Sequence, residues 1–275
     1  LGILYIVPTP IGNLEDITLR ALRILKEVTL IAAEDTRTSR VLMQHFDITT
    51  PMTSYHEHNK VSKLEQIYDA LSVGDVALIS DAGTPGISDP GYELVQGAIE
   101  RGISVVPLPG ANAVITALVA SGLPTDSFLY VGFLPRKTSA LKDSLAALSA
   151  HTGTIATYES PHRLTDTLAG IIDVMGGERR VCVARELTKK FEQFFRGTAQ
   201  EAYDYFTAEN PRGEVTLLIA GADPVDDTWT EARVKAALQR HIADGDSLSR
   251  AAKSVAKLSG WRKSDVYELG IMDES

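Results

Sequence analysis

Apolar positions along the chain follow two alternating rhythms. Short runs rich in β-branched residues, at 3–7, 30–33, 76–80 and 104–108, read as buried strands. Between them, residues 17–28 place Leu19, Leu22, Ile24, Leu25 and Val28 at helical spacing, and 40–46, 61–72 and 92–100 read as further helices. Strands separated by helices predict a largely parallel sheet with helices on its faces, an α/β domain over residues 1–123. A second α/β series fills 124–221, with strands at 128–133, 154–158, 180–185 and 214–220 and helices at 139–150 and 163–175. Residues 188–197 carry Phe191, Phe194 and Phe195 with little alternation and give no firm element. Residues 222–227 read as a linker. Beyond them, 228–275 predicts three short helices in a helix-turn-helix-like unit, with Thr230 and Ser247 as N-caps, Gly260 as a breaker and Ser264-Asp265 starting the last.

Composition narrows the class. A chain of 275 residues with 44% hydrophobic and 23% charged residues matches ordinary globular usage, which argues against disorder. No apolar run approaches the roughly 20 residues that cross a bilayer, and the first residues read as a strand rather than a signal peptide. The single cysteine, Cys182, has no internal partner, so a reducing cytoplasm is the expected setting; between Val181 and Val183 it reads as a buried apolar residue. The net charge of −9 argues against a nucleic-acid partner, but residues 233–263 hold eight lysines and arginines against two aspartates. That tail is either a solvated helical face or an anchor for phosphates.

Candidate chemistry gathers where strands end, since ligands of open parallel sheets bind beyond the carboxyl ends of the strands. Three such ends carry glycine- and proline-rich loops: Val7-Pro8-Thr9-Pro10-Ile11-Gly12-Asn13, the run from Asp81 through Gly83, Pro85, Gly86 and Pro90 to Gly91, and Pro109-Gly110-Ala111-Asn112-Ala113. Glycine admits a ligand close to the main chain and proline keeps the loop rigid, so three at one sheet edge predict a pocket. No phosphate-binding fingerprint is present, and a nucleoside cofactor without phosphates, such as S-adenosylmethionine, suits these loops.

Those loops, with Ala33-Glu34-Asp35-Thr36-Arg37 and Tyr158-Glu159-Ser160-Pro161-His162-Arg163, occur in an order that resembles the tetrapyrrole-methylase-type class of S-adenosylmethionine methyltransferases. Within that class the sequence is similar to members that methylate a ribose 2′-hydroxyl of a decoding-centre cytidine, cytidine 1402, in the 16S rRNA of the small ribosomal subunit. The resemblance covers essentially the whole chain, including the helical tail that small-molecule members lack. It implies two α/β domains with the cofactor in the cleft between them; a homodimer is expected separately, because it would gather basic surfaces that one acidic chain lacks. Carried over by position, cofactor contacts fall on Pro10, Ala82, Gly83, Thr84, Ile87, Asn112, Ala113, Glu159 and Leu187. Where small-molecule members have Gly-Gly-Asp-Pro, this chain reads Ala82-Gly83-Thr84-Pro85, and Asp81 is the nearest substitute for the lost acid.

A ribose hydroxyl is a weak nucleophile, which makes the strand-end charges Glu34, Asp35 and Arg37 candidates for catalysis; a loop-stabilising ion pair explains them equally well. Arg163, Arg185 and Lys189 are candidates for substrate phosphates, as are Arg250, Lys253 and Lys257 in the tail. Tyr55-His56-Glu57-His58-Asn59 looks metal-like but lacks a spaced fourth ligand, and no metal is expected. Two other functions are weighed: a tetrapyrrole methyltransferase, which leaves the tail idle, and a ligand-sensing helix-turn-helix regulator, which Asp265 and Glu268 in the last helix disfavour.

Overall fold

The computed structural model describes residues 1–56, 60–209, 211–223 and 229–272, which divide into two compact units, Leu1–Gly221 and Ala222–Ser275. In the first unit, β1 (Ile3–Ile6), α1 (Leu19–Glu27), β2 (Leu30–Ala33), α2 (Thr36–His45), β3 (Met52–Ser54), α3 (Lys60–Val73), β4 (Val76–Ile79), α4 (Tyr92–Glu100) and β5 (Ser104–Pro107) build a parallel sheet in the order β3-β2-β4-β1-β5. Central β4 is buried at every residue, as a strand covered on both faces must be. Ile24, Leu25, Leu42 and Met43 cover one face, from α1 and α2; Ile67, Leu71, Leu94 and Ala98 cover the other, from α3 and α4.

Helix α2 begins at Thr36, four residues before the expected start at 40. Asp35 caps it by accepting from the Arg37 amide at 2.8 Å, and its first turn is polar, which hides it from hydrophobic periodicity. Strand β3 departs from the expected pattern; at three residues it is too short to show alternation.

The same unit continues with α5 (Ala113–Ala120), β6 (Phe128–Phe133), α6 (Thr138–Leu148), β7 (Thr154–Glu159), α7 (Leu164–Met175), β8 (Arg180–Arg185), β9 (Gln193–Thr198), α8 (Ala199–Glu209) and β10 (Val215–Ile219). The second sheet runs β6-β7-β10-β8-β9, with only β6 and β7 parallel. The aromatic stretch at 188–197 resolves into β9, and α8 is an addition to the expected elements. Leu145, Leu168, Ile171 and Phe206 cover one face of this sheet. On the other, Val114, Ala117 and Leu118 of α5 meet Ala156, Cys182, Ala184 and Leu218. Burial pushes the Cys182 thiol up to about 11, leaving it inert at neutral pH.

The second unit holds α9 (Glu231–Ala243), α10 (Leu248–Ser259) and α11 (Lys263–Met272) around Val234, Leu238, Ala251, Ala252, Val255 and Val266. Thr230 caps α9 through the Arg233 amide, and Gly260 ends α10 in the left-handed conformation, both as expected. Ser247 stands at the N-cap position of α10, as expected, but its side chain makes no capping bond, and its carbonyl accepts from Arg250 and Ala251 at 2.9 Å. Most of the expected linker lies outside the described residues. Among the described residues no helix is long and apolar enough to cross a membrane.

Phe206 is 2% exposed and its ring meets Phe195 and Tyr205 at 5.6 and 5.0 Å between centroids. Phe206→Ala should destabilise the chain by about 3–5 kcal/mol. The measurement is a urea unfolding curve whose midpoint falls while its slope is unchanged.

Candidate functional site

The three glycine- and proline-rich loops are stitched to one another. Thr9 and Gly83 exchange two backbone hydrogen bonds of 2.9 Å, joining the loop after β1 to the loop after β4. The Thr9 hydroxyl adds a bond of 3.1 Å to the Ser80 carbonyl. Thr84 Oγ1 donates to the Ala111 carbonyl at 3.0 Å, tying the second loop to the third. The third closes on the first, since a Cβ placed on Gly110 would lie 2.6 Å from the Pro8 Cβ. Gly83 adopts φ +82°, a left-handed conformation that glycine reaches without strain. Gly12 meets the second half of the unit: a Cβ there would lie 2.4 Å from Lys189 Cγ and 3.0 Å from the Leu187 carbonyl.

These loops form one side of a cavity of about 390 Å³, within the usual range for small-molecule sites. The first half contributes Ile11, Glu34, Asp81 through Thr84, Ile87 through Asp89, Asn112 and Ala113; the second contributes Phe133, Tyr158 through Pro161 and Gly213 through Thr216. Of the expected cofactor contacts, Ala82, Gly83, Thr84, Ile87, Asn112, Ala113 and Glu159 line it, as does Asp81. Leu187 instead lines a small cavity of about 30 Å³ that shares Ile11, Ala113, Glu214 and Thr216 with the main one. Pro10 lines neither. Asn112 has a second task, since its Oδ1 caps α5 by accepting from the Ile115 amide at 3.2 Å.

Acids crowd one wall. Glu34 Oε2 accepts from the Asp81 amide and Asp81 Oδ1 from the Asp35 amide, both at 3.1 Å, locking the ends of β2 and β4 together. Burial raises Glu34, Asp81 and Asp89 above the ordinary carboxylate range, and the nearby Glu34 charge helps carry Asp89 to about 6. Asp35 goes the other way: its bonds to Arg37 hold it at about 2. Of the proposed catalytic trio, then, Glu34 alone lines the cavity. Asp35 caps α2, and Arg37, 87% exposed at its side chain, pairs with it. The pair stands at the start of α2, and neither residue belongs to the cavity lining.

The strand-end cations of the second half are similarly engaged. Arg163 pairs with the buried Glu159 carboxylate at 3.3 Å and donates to the Leu134 and Pro135 carbonyls at 3.3 and 2.9 Å. Glu159 also accepts from Thr167 Oγ1 at 2.6 Å and the Ser160 amide at 2.7 Å. Arg185 bonds Gln193 and the Arg212 carbonyl and lines a separate cavity of about 340 Å³. Lys189 bridges Glu186 and Glu214 at 2.8 and 2.9 Å. Arg250, Lys253 and Lys257 lie exposed along α10, opposite its buried alanines and Val255. Tyr55 is buried and His56 half-buried, while Glu57, His58 and Asn59 lie outside the described residues. No cluster of three potential metal ligands occurs among the described residues.

Sequence reasoning missed Ile11, Ser88, Asp89, Phe133, Tyr158 and the 213–216 stretch as cavity residues. Asp89 sits within the loop after β4 and had a signal, as an acid among glycines and prolines. The 213–216 stretch had none, because only the antiparallel pairing of β10 with β7 brings it there.

The tetrapyrrole (corrin/porphyrin) methylase family pattern matches residues 3–203. The ribosomal RNA small subunit methyltransferase I of Halalkalibacterium halodurans is 47% identical over 273 residues, covering 98% of this chain and 94% of the relative. The protein of the same name from Synechocystis is 48% identical over 273 residues, covering 98% of each. Among solved structures, a cobalt precorrin-4 methyltransferase of cobalamin biosynthesis aligns with TM-score 0.62 at 18% identity, over 79% of this chain and 94% of that one. A uroporphyrin-III C-methyltransferase from Thermus thermophilus, complexed with S-adenosylhomocysteine, gives 0.57 at 17% identity, over 80% and 97%. These structural likenesses speak to fold, and the sequence matches speak to family. The chain belongs to the tetrapyrrole methylase family and, within it, to the group of ribosomal RNA small subunit methyltransferases I.

Proposed function

We propose that the chain transfers a methyl group from S-adenosylmethionine to the 2′-hydroxyl of a cytidine in 16S rRNA, and that it acts on the small subunit as a homodimer in the cytoplasm. The observation that carries this reading is the convergence of three rigid loops on one cavity shared by two half-domains. The names of the relatives supply the class of substrate.

The lining suits such a cofactor. Ile11, Ile87 and Ala113 offer apolar surface, and Gly83 leaves the main chain open to close approach, where a Cβ would crowd Ile11 Cγ2 at 3.3 Å. Glu34, Asp81 and Asp89 repel one another and are held above their ordinary range, an arrangement that a cationic ligand relieves. When bound, the cofactor supplies an electrophilic methyl group on a sulfonium, and the protein supplies placement. In-line attack needs the reacting atoms about 3 Å apart, so the rigidity of the stitched loops is the chain's main contribution to rate.

Three outcomes are expected. Tritiated methyl transfer should label unmodified small subunits and not a porphyrinogen; label in the tetrapyrrole alone would reverse the assignment. S-adenosylmethionine affinity, followed by calorimetry, should rise between pH 5 and 7 as Asp89 ionises through about 6, since only the carboxylate attracts the sulfonium. The neutral thioether product should show a smaller change, and Asp89→Asn should flatten the difference. Replacing Arg250, Lys253 and Lys257 together by Glu should weaken subunit binding while sparing cofactor affinity; loss of both together would make the tail structural.

A further inference from the structure

Phe133 lines the cavity yet leaves 59% of its surface in solvent, more than Ile87, which also lines it and is 39% exposed. Its direction comes from a bulge. Between Tyr130 and Phe133 strand β6 advances three residues while β7 advances two, from Ala156 to Tyr158. Gly132 takes up the extra residue at φ +66°, and its carbonyl is held by Thr157 Oγ1 at 2.7 Å. Bulges of this kind re-aim a side chain beside a site. The ring is then backed from one side: Tyr158 lies 5.6 Å away between centroids, and Tyr130 supports Tyr158 at 5.3 Å. The Tyr130 hydroxyl is itself bonded to Ser88.

The segment after Phe133 is equally constrained. Leu134 is buried in the second core, and Arg163, anchored on Glu159, holds the carbonyls of Leu134 and Pro135. This strut projects Arg136 and Lys137 into solvent, and neither makes an ion pair with any described residue. A fixed, open aromatic face beside two unpaired cations is the combination that proteins use for single-stranded nucleic acid, with bases stacked on rings and phosphates met by cations.

We propose that Phe133, Arg136 and Lys137 form the RNA-docking edge of the cavity, with an unstacked base lying on the Phe133 ring and flanking phosphates on the two cations. The inference rests on the RNA-methylating function and deepens it. Arg163, in this scheme, is a positioning residue that holds the loop and does not touch substrate.

The test uses the full chain, unmodified small subunits and a fluorescent single-stranded RNA oligonucleotide. Phe133→Ala should raise KM for subunits about tenfold or more with kcat changed far less, and Phe133→Trp should restore it. S-adenosylmethionine affinity by calorimetry should fall less than the affinity for RNA. Arg136→Gln with Lys137→Gln should reduce the slope of log affinity for the oligonucleotide against log salt by about 1.4, the value for two lost phosphate contacts on a single strand. An unchanged KM for Phe133→Ala overturns the stacking role. Equal losses of cofactor and RNA affinity also overturn it, making the ring a wall of the cofactor site. An unchanged salt slope overturns the role of the two cations. Failure of the wild-type chain to label subunits at all would instead remove the RNA reading itself, and the docking edge with it.

Discussion

The site depends on a seam. Helix α5 follows directly from the third pocket loop and buries Val114, Ala117 and Leu118 against the second sheet. One residue, Asn112, both caps this helix and lines the cavity, while its Nδ2 reaches Thr84 Oγ1 at 3.5 Å. The loop that shapes the cavity is therefore fixed by the same hydrophobic contact that joins the two half-domains. Surface loops ordinarily carry the mobile part of a fold; these are held by a buried helix on one side and by the Thr9–Gly83 ladder on the other. Strain collects around them. Ser88, Glu186 and Thr188 all adopt positive φ without being glycine, and such conformations persist only where the surroundings over-determine them.

Much of this is legible from residue pattern alone. The alternation of β-branched runs with helical spacing points to the first sheet, and the three glycine- and proline-rich loops mark where its pocket lies. Elements escape detection where they lack periodicity, as with three-residue β3 and the polar opening of α2. The far wall of the cavity is hidden for a different reason. Val215 and Thr216 reach it because β10 inserts between β7 and β8, a long-range pairing that no local signal encodes. Charged strand ends are the weakest guide. Arg163 stands in sequence as a candidate phosphate contact, and in the fold its partners include carbonyls 28 and 29 positions away.

The engagement of these strand-end cations bears on how an acidic chain can serve an RNA substrate. Its net charge of −9 is not spread evenly. Glu34, Asp81 and Asp89 converge on the cavity, where burial raises all three above the ordinary carboxylate range. Cations that line strand ends, Arg163 and Lys189, are consumed in neutralising neighbouring glutamates. Arg136 and Lys137, beyond the bulge of β6, are exposed and make no ion pair with any described residue.

Around the cavity, charge is sorted by position: Glu34, Asp81 and Asp89 line it, and Arg136 and Lys137 lie exposed outside its lining. An acidic interior and cationic outer positions would attract a positively charged cofactor and a negatively charged polymer to different places, and neither would compete for the other's contacts. The same sorting limits what a lone nucleotide could gain from the cavity. Its phosphate would meet carboxylates at close range, where the effective dielectric is low and like charges repel strongly. A ribose reaching inward from a strand whose phosphates stay outside avoids that cost, which is why a polymer with an unstacked nucleotide fits this charge layout better than a free nucleotide does.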